Sequence, residues 1–397
     1  MLDSIFIGMS GLTGFSKGLR VIGNNLTNVN TPGFKGAQLQ FTDLFYQNSA
    51  NANASGWAGG GAQLGMGLNT LATTVNFKAG ELRQTGRNLD LAIDGEGFFV
   101  LNDDGKPRYT RAGQFEFDSD GFLVNTINGL RVSGIDDNGR LADISLTGLQ
   151  INPPKATKTV KFNGNISSNA ASDVVLNGVK IIDPAGGEHL VKLAFKNNSA
   201  TKPGNWTVTV SDDIGTLHTG ELQFDSGNPA DNGSKIAFTY APATSTPFSL
   251  TLDFSSDVTS FAAGSVSTVA VSSQDGVLPG ALTTLAFDAA GALVASYSNG
   301  ETTTGMRLAL ARFDTTKDIV PLGSNAFGST DDAAVRIGHA KTNSFGALKS
   351  GVVEGANVDL AEEFSNLIVM QRGYQAASHV ISTANELIQQ LYDMKGR

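Results

Sequence analysis

Apolar residues recur every three or four positions at both ends of this chain, and alternate or cluster in short runs between them. In the first thirty residues they fall at Leu2, Ile5, Met9, Leu12, Phe15, Leu19, Ile22, Leu26 and Val29. That spacing predicts a helix with a heptad-like seam. Asp3, Ser10, Lys17 and Asn24 take the opposite face, and Asn30-Thr31-Pro32-Gly33 ends the run. In the last forty residues the stripe is Leu360, Phe364, Leu367, Met370, Tyr374, Ala377, Ile381, Ala384, Ile388, Leu391 and Met394. Asp359 is placed to cap this helix, with Glu362 three residues on completing a capping-box pattern. Asp359, Glu362 and Glu363 suit the positive end of the helix dipole, and Lys395 and Arg397 the negative end. A helix of about 28 residues is about 42 Å long, and a narrow stripe of that length needs a partner all along it. The two ends are expected to pair with each other or with copies from neighbouring subunits.

The N-terminal stripe is interleaved with Gly8, Gly11, Gly14, Gly18 and Gly23. Each costs up to ~1 kcal/mol against alanine inside a helix. This helix is therefore expected to be marginal in the isolated monomer and to fold when packing supplies the missing stabilisation.

Between the ends the period changes. Phe41, Leu44, Phe45 and Tyr46 precede a connector, Gln47 to Gly67, rich in Asn, Ala and Gly. Residues 69–150 alternate short apolar runs with turns: Leu89-Asp90-Leu91-Ala92-Ile93, Asp94-Gly95-Glu96-Gly97, Phe98-Phe99-Val100-Leu101, then Asn102-Asp103-Asp104-Gly105. These read as β-hairpins. Residues 152–289 carry Thr-, Ser- and Val-rich runs such as Trp206-Thr207-Val208-Thr209-Val210, which predict a separate all-β sandwich or barrel. From about 290 the earlier style returns. The expected fold is mainly β with long α-helices at both termini, in a nested multidomain arrangement. Residues 1–30 and 357–397 form a coiled-coil-like polymerisation domain and 31–75 a connector. Residues 76–151 and 290–356 form a first β domain, and 152–289 an inserted outer β domain.

Composition narrows the chemistry. Charged residues are only 16 % and Gly numbers 47, which suits a turn-rich β protein. A net charge of −9 repels phosphate backbones, so nucleic acid is not an expected partner. The absence of cysteine excludes disulfides, thiolate metal sites and cysteine nucleophiles. No basic start followed by an apolar core and cleavage site is evident, nor any apolar run of ~18 residues, so membrane insertion is not expected.

No catalytic, cofactor-binding or metal-ligating residue stands out. His189, His218, His339 and His379 are scattered without ligand spacing. Gly59-Gly60-Gly61 lacks the lysine of a phosphate loop, and Gly95-Glu96-Gly97 lacks the third glycine and helix of a dinucleotide motif. Asp118-Ser119-Asp120-Gly121 and Asp136-Asp137-Asn138-Gly139 resemble calcium loops but lack the alternating ligands and final glutamate, so hairpin turns are expected there. No cofactor and no enzymatic activity are expected.

Three longer stretches carry a resemblance. Asn24-Asn25-Leu26-Thr27-Asn28-Val29-Asn30-Thr31-Pro32-Gly33-Phe34-Lys35 resembles the N-terminal signature of bacterial flagellar rod and hook proteins. Leu89 to Phe99, with Tyr109-Thr110-Arg111-Ala112-Gly113-Gln114-Phe115, is similar to that family's β-domain motif. Glu354-Gly355-Ala356-Asn357-Val358-Asp359-Leu360 to Phe364, with Met370-Gln371-Arg372-Gly373-Tyr374-Gln375, is similar to its C-terminal signature. The motif positions singled out are Asn28, Thr31, Pro32, Gly33, Phe34, Asp94, Gly95, Gly97, Phe98, Phe99, Asn357, Asp359, Gln371, Arg372 and Tyr374.

The resemblance implies a subunit of an extracellular helical tube, exported without a cleaved signal. The large 152–289 insertion points to the hook branch, a curved universal joint transmitting torque from rod to filament; the distal rod is the alternative, and a secreted β-rich adhesin a more distant one. The partners it implies are copies of the same chain, the distal rod protein, a hook cap, a hook–filament junction protein and the flagellar export apparatus.

Overall fold

The structure, a computed structural model, describes all residues except Met1, Phe45, 49–62, Asp137, 243–244, 316–317, 343–344 and 396–397. Most of the Asn-, Ala- and Gly-rich segment Gln47 to Gly67, with its Gly59-Gly60-Gly61, lies outside the described residues, as does Arg397.

The protein is mainly β with one long helix near each terminus. It divides into two compact units, the first made of Met1–Leu146, Ala286–Val294 and Thr304–Arg397, the second of Thr147–Leu285 and Ala295–Thr303.

In the first unit, helix α1 spans Leu2–Thr27 and helix α2 spans Leu360–Lys395. Asp359 caps α2, its Oδ1 accepting from the N–H groups of Ala361 at 2.7 Å and Glu362 at 3.2 Å. An antiparallel ribbon of Ala37–Asp43 and Leu68–Val75 lies against α1. The β part is centred on Phe98–Asp103, which pairs with Lys106–Thr110, Arg131–Ile135 and Leu310–Phe313. One of its hydrophobic clusters gathers Phe98, Val100, Tyr109, Ala309, Ala311, Phe313, Ile319 and Phe327. The Phe98 ring meets Phe77, Phe313 and Phe327 edge-on, a geometry that aligns ring edges with ring faces. Two short pairings, Leu91–Asp94 with Ala347–Ser350 and Leu82–Gln84 with Val352–Glu354, bring the chain back towards α2.

The second unit is built on two sheets. One runs in the order Lys235–Tyr240, Phe248–Thr259, Thr159–Asn165, Ala270–Gln274; Thr159–Asn165 runs parallel to Phe248–Thr259. The other is a meander from Val174–Ile182 to Asn228–Pro229. Alternate residues of both sheets share one core around Trp206, Phe195 and the stacked pair Phe162–Phe254. Alternation with period two explains why one face of each strand is apolar.

The acidic turns share one construction. In Asp118, Asp136, Asp183 and Asp288 the Oδ1 atom accepts from the backbone N–H groups two and four residues later, at 2.8–3.0 Å. The glycine three residues on takes a positive φ, such as +80° at Gly121 and +77° at Gly139. The Asp118 and Asp136 turns join the hairpin strands Phe115–Phe117 with Leu123–Asn125 and Arg131–Ile135 with Leu141–Asp143.

Asp183 carries an added load. Its buried Oδ2 lies 3.0 Å from His189 Nε2. Burial pushes its carboxyl up, but the His189 hydrogen bond and the Gly187 and Ala185 N–H groups together hold it below its ordinary value. A depressed carboxylate stabilises above the ordinary carboxylate range, and that stabilisation is lost as pH falls through the folded-state value. Asp183→Ala is expected to cost about 1–3 kcal/mol, more than Asp118→Ala, and to weaken the acid dependence of unfolding. Urea denaturation across an acid pH series checks both; equal costs for the two variants would contradict the assignment.

Candidate assembly site: the paired terminal helices and their root

The two helices pair antiparallel, and glycines set their separation. Along α1 the buried positions are Gly8, Gly11, Gly14, Gly18, Ile22 and Asn25. A Cβ on Gly8 would stand 2.6 Å from Ile381 Cγ1, one on Gly11 3.2 Å from Ala377 Cβ, and one on Gly18 3.0 Å from Met370 Sδ. From the other side, Gly373 of α2 receives the Phe15 ring, 2.6 Å from where its own Cβ would be. Gly14 faces the ribbon instead, against Leu68. Backbones approach closely where no Cβ intervenes, so the glycines are placed where their helix-propensity cost is offset by contact.

This divides the apolar stripe. Ile22 is buried; Phe15, Met370 and Ile381 fill the glycine gaps. Ile5, Leu12, Leu19, Leu26, Val29, Leu367 and Ile388 are half-buried. Met9, Leu360, Phe364, Tyr374 and Leu391 are exposed, as are Ile368, Val369, Val380 and Leu387, which the stripe did not include. The Leu2 and Lys395 side chains lie outside the described residues. Gln371 and Arg372 are exposed on α2.

Below the helices, the three motif stretches converge on one carboxylate. Glu354 Oε1 lies 2.6 Å from Lys35 Nζ and its Oε2 3.2 Å from an Arg111 guanidinium nitrogen, with Lys35 and Glu354 fully buried and Arg111 nearly so. Gly80 N–H also donates to Oε1 at 2.8 Å. Lys35 donates further to Lys78 O at 2.7 Å, and Arg111 to Gly95 O at 2.9 Å. The Arg111 guanidinium lies 5.3 Å from the Phe98 ring centre. Two cations against one anion leave a net positive charge, spread over backbone carbonyls and an aromatic face. Burial pushes the Lys35 ammonium below the usual lysine range, against the opposing pull of Glu354; Arg111 is lowered by burial in the same way.

Neighbouring motif residues lock the chain around this centre. Gly33 sits at φ +70°, its N–H donating to Glu354 O at 2.7 Å; a Cβ there would collide with the Ala112 backbone. Pro32 O accepts from Asn325, and Thr31 Oγ1 donates to Asn28 Oδ1 at 3.1 Å. Asn357 accepts from Gly36 N–H at 2.7 Å and donates to Asn76 O and Lys78 O. Phe34 is half-buried, and its carbonyl accepts from Asn357 N–H. Asp94 pairs at the surface with Lys349. Gly95 and Gly97 take φ of +122° and +135°. Phe99 stacks edge-on with Phe115 in the core.

Asn25 joins the root to both helices. Its Oδ1 accepts from Ala37 N–H at 3.0 Å; its Nδ2 donates to Ala37 O at 2.8 Å and to Glu363 Oε1 at 2.7 Å. Burial pushes the Glu363 carboxyl up; the Asn25 bond opposes this and the Glu362 charge adds to it. Asn25, Lys35, Arg111 and Glu354 lie within the motif strings but were not among the positions singled out from sequence, and Glu363 was read only as a first-turn charge.

Comparison with known proteins matches these same regions. Residues 5–35 fit the family model "Flagella basal body rod protein", 92–168 the "Flagellar hook protein FlgE/F/G D1 domain" and 349–394 the "Flagellar basal body rod FlgEFG protein C-terminal". Such a combination defines a flagellar rod or hook protein, a class of structural subunits. The chain is 31 % identical to flagellar hook protein FlgE of Borreliella burgdorferi over the whole of both chains, and 30 % identical to that of Escherichia coli K12 over 98 % of each. It belongs to the flagellar hook protein FlgE family. The Bacillus subtilis flagellar basal-body rod protein FlgG is 26 % identical over the full length of both. A crystal structure of Helicobacter pylori FlgE2 aligns with a TM-score of 0.47 and 13 % identity, covering 67 % of this chain and 99 % of that one.

The charge count orders two substitutions. Glu354→Gln strands two buried cations and should cost about 3–5 kcal/mol; Lys35→Met leaves a neutral Arg111–Glu354 pair and should cost less. The double variant should be less damaging than the sum. Urea unfolding of the four proteins checks the order, and a more harmful Lys35→Met would refute it. For Glu363, a raised carboxyl stabilises below its ordinary range, and the contribution is lost as pH rises through the folded-state value. Glu363→Gln keeps the acceptor for Asn25 and should flatten the pH dependence of thermal melting between the carboxylate range and neutrality. An unchanged pH profile would rule that role out.

Proposed function

We propose that this chain is the structural subunit of a bacterial flagellar hook, polymerising through its terminal helices into a curved helical tube outside the cell. The observation that carries this reading is the full-length similarity to proteins named as hook subunits, at 30–31 % identity. In this reading the tube is a universal joint passing torque from rod to filament. The helices form its coiled-coil-like core, and 152–289 an outer β domain inserted into the first. The chain's partners are copies of itself, the distal rod protein, hook cap, hook–filament junction protein and export apparatus. The distal rod is the second reading, favoured by the FlgG match.

The exposed half of the stripe supports self-assembly. Leu360, Phe364, Tyr374 and Leu391 of α2 remain 41–51 % exposed. Apolar area left in water on a long helix is stabilised by a partner, at roughly 25 cal/mol per Å². Polar β surfaces, by contrast, suit contacts that break and re-form as the tube turns.

Phe364→Asp tests the surface without touching the helix pair, whereas Ile381→Asp attacks the pair itself. Electron microscopy should show hook-like tubes from the parent chain and at least about tenfold fewer from Phe364→Asp, with unchanged circular dichroism. A fragment spanning 30–358, which keeps Lys35 with Glu354, should be folded and monomeric. Tubes from that fragment would sink the helix-driven mechanism.

A further inference from the structure

Six asparagines are followed directly by glycine: Asn128, Asn138, Asn163, Asn177, Asn232 and Asn299. In such a pair the glycine nitrogen can attack the asparagine side-chain carbonyl, because no Cβ stands beside the nucleophile. Two things prevent this in a folded chain. One reacting group can be held in a hydrogen bond, or the backbone can be restrained so that the nitrogen and Cγ do not meet until the segment opens. The fold applies one or both at five of the six pairs.

Gly129 N–H donates to Asn125 O at 2.8 Å, Gly139 N–H to Asp136 O at 3.0 Å and Gly300 N–H to Tyr297 O at 3.0 Å. Asn299 is held at its side chain too: its Nδ2 donates to Leu278 O at 2.8 Å, and its Oδ1 accepts from Glu301 N–H at 3.0 Å. Asn163 lies within Thr159–Asn165, which is paired with strands on both sides. Asn177 lies within Val174–Ile182, between the Leu176–Leu193 and Val179–Val191 pairs, and this ladder restrains the backbone on either side of it. Asn232 differs. It is exposed in the loop between Asn228–Pro229 and Lys235–Tyr240, and neither its side chain nor the Gly233 N–H is hydrogen-bonded to a described residue. The anchors of this loop are carbonyls: Gly233 O accepts from Gln223 N–H at 3.0 Å and Ser234 O from Phe254 N–H at 2.9 Å. Both leave the Gly233 nitrogen free to react.

We propose that Asn232 is a site of spontaneous deamidation in the folded protein, reacting ahead of the other five pairs. The Gly233 nitrogen gives up its proton to solvent base and bonds to Asn232 Cγ, and the Cγ–Nδ2 bond breaks to release ammonia. The product is a cyclic succinimide. Water then adds at one of its two carbonyls and opens the ring to aspartate or isoaspartate, so the net reaction consumes one water and yields one ammonia. Either product places a new carboxylate beside Asp231 and makes the chain one charge more negative than its formal −9. Isoaspartate also adds a carbon to the backbone of the loop. None of this requires the chain to polymerise.

Full-length protein, held at physiological temperature in mildly alkaline buffer and sampled over days, is digested and mapped by mass spectrometry. Deamidation adds about 1 Da to the peptide that carries it. A urea-unfolded sample incubated in parallel gives the intrinsic rate at each of the six pairs, and a zero-time digest corrects for reaction during digestion. Relative to those intrinsic rates, Asn232 in the folded protein should react at least about tenfold faster than each of the other five, which must first open locally. Rates spread evenly over the six sites, or another asparagine reacting ahead of Asn232, would overturn the proposal. So would an Asn232 that stays intact while the unfolded control reacts. Labelling with a protein isoaspartate methyltransferase is the second measure: Asn232→Gln should remove most of the label from the aged, folded protein. Undiminished label in that variant would reject the site.

Discussion

Glu354 is the residue on which the first unit closes. Its two oxygens hold a lysine that follows α1 and an arginine from the β part, and α2 begins six residues after it. A buried carboxylate with two cations gains little net stability over a well-packed apolar cluster, because desolvation consumes most of the Coulombic gain. What it does is tie three distant segments of chain to one point. Asn25 and Asn357 extend that tie by hydrogen-bonding backbone on both sides of the root.

Above the root the constraint is steric. Gly8, Gly11 and Gly18 of α1 share a side with Phe15 and Ile22, while Phe6 and Met9 stand exposed on the opposite side, so one helix presents two surfaces. The glycine side takes α2 of the same chain. The large apolar side is left partly open, and α2 has its own open side along Leu360, Phe364 and Tyr374. A helix pair built on large side chains would have consumed the residues that remain available outside.

The terminal helices, the start of α2 at Asp359 and the hairpin turns were legible in the sequence, because each is a local pattern with a local cause; α1 stops at Thr27, short of the Asn30-Thr31-Pro32-Gly33 end that the pattern predicts, and leaves Val29 in the turn that follows. The placement of the helix glycines was not legible. Their propensity cost is a property of one helix, while their use at Ile381, Ala377 and Met370 depends on a second helix far along the chain. The root was half legible. Its motif strings stand out, but which of their residues meet does not: Lys35 and Glu354 are 319 positions apart, and Arg111 and Glu354 243. Nothing local to Val352-Val353-Glu354 says whether its charge points to water or to a partner.

Those separations also fix an order of events in time. Contacts between distant parts of a chain form late, since the intervening segment must first be present and then pay its closure entropy. In the second unit, Thr159–Asn165 waits for Phe248–Thr259 before its parallel pairing can form. In the first, Lys35 and Arg111 have no carboxylate to meet until residue 354 has arrived. A chain delivered from its N-terminus therefore stays unlatched at its root through most of its length, and the final tenth of the polypeptide sets when the subunit becomes rigid.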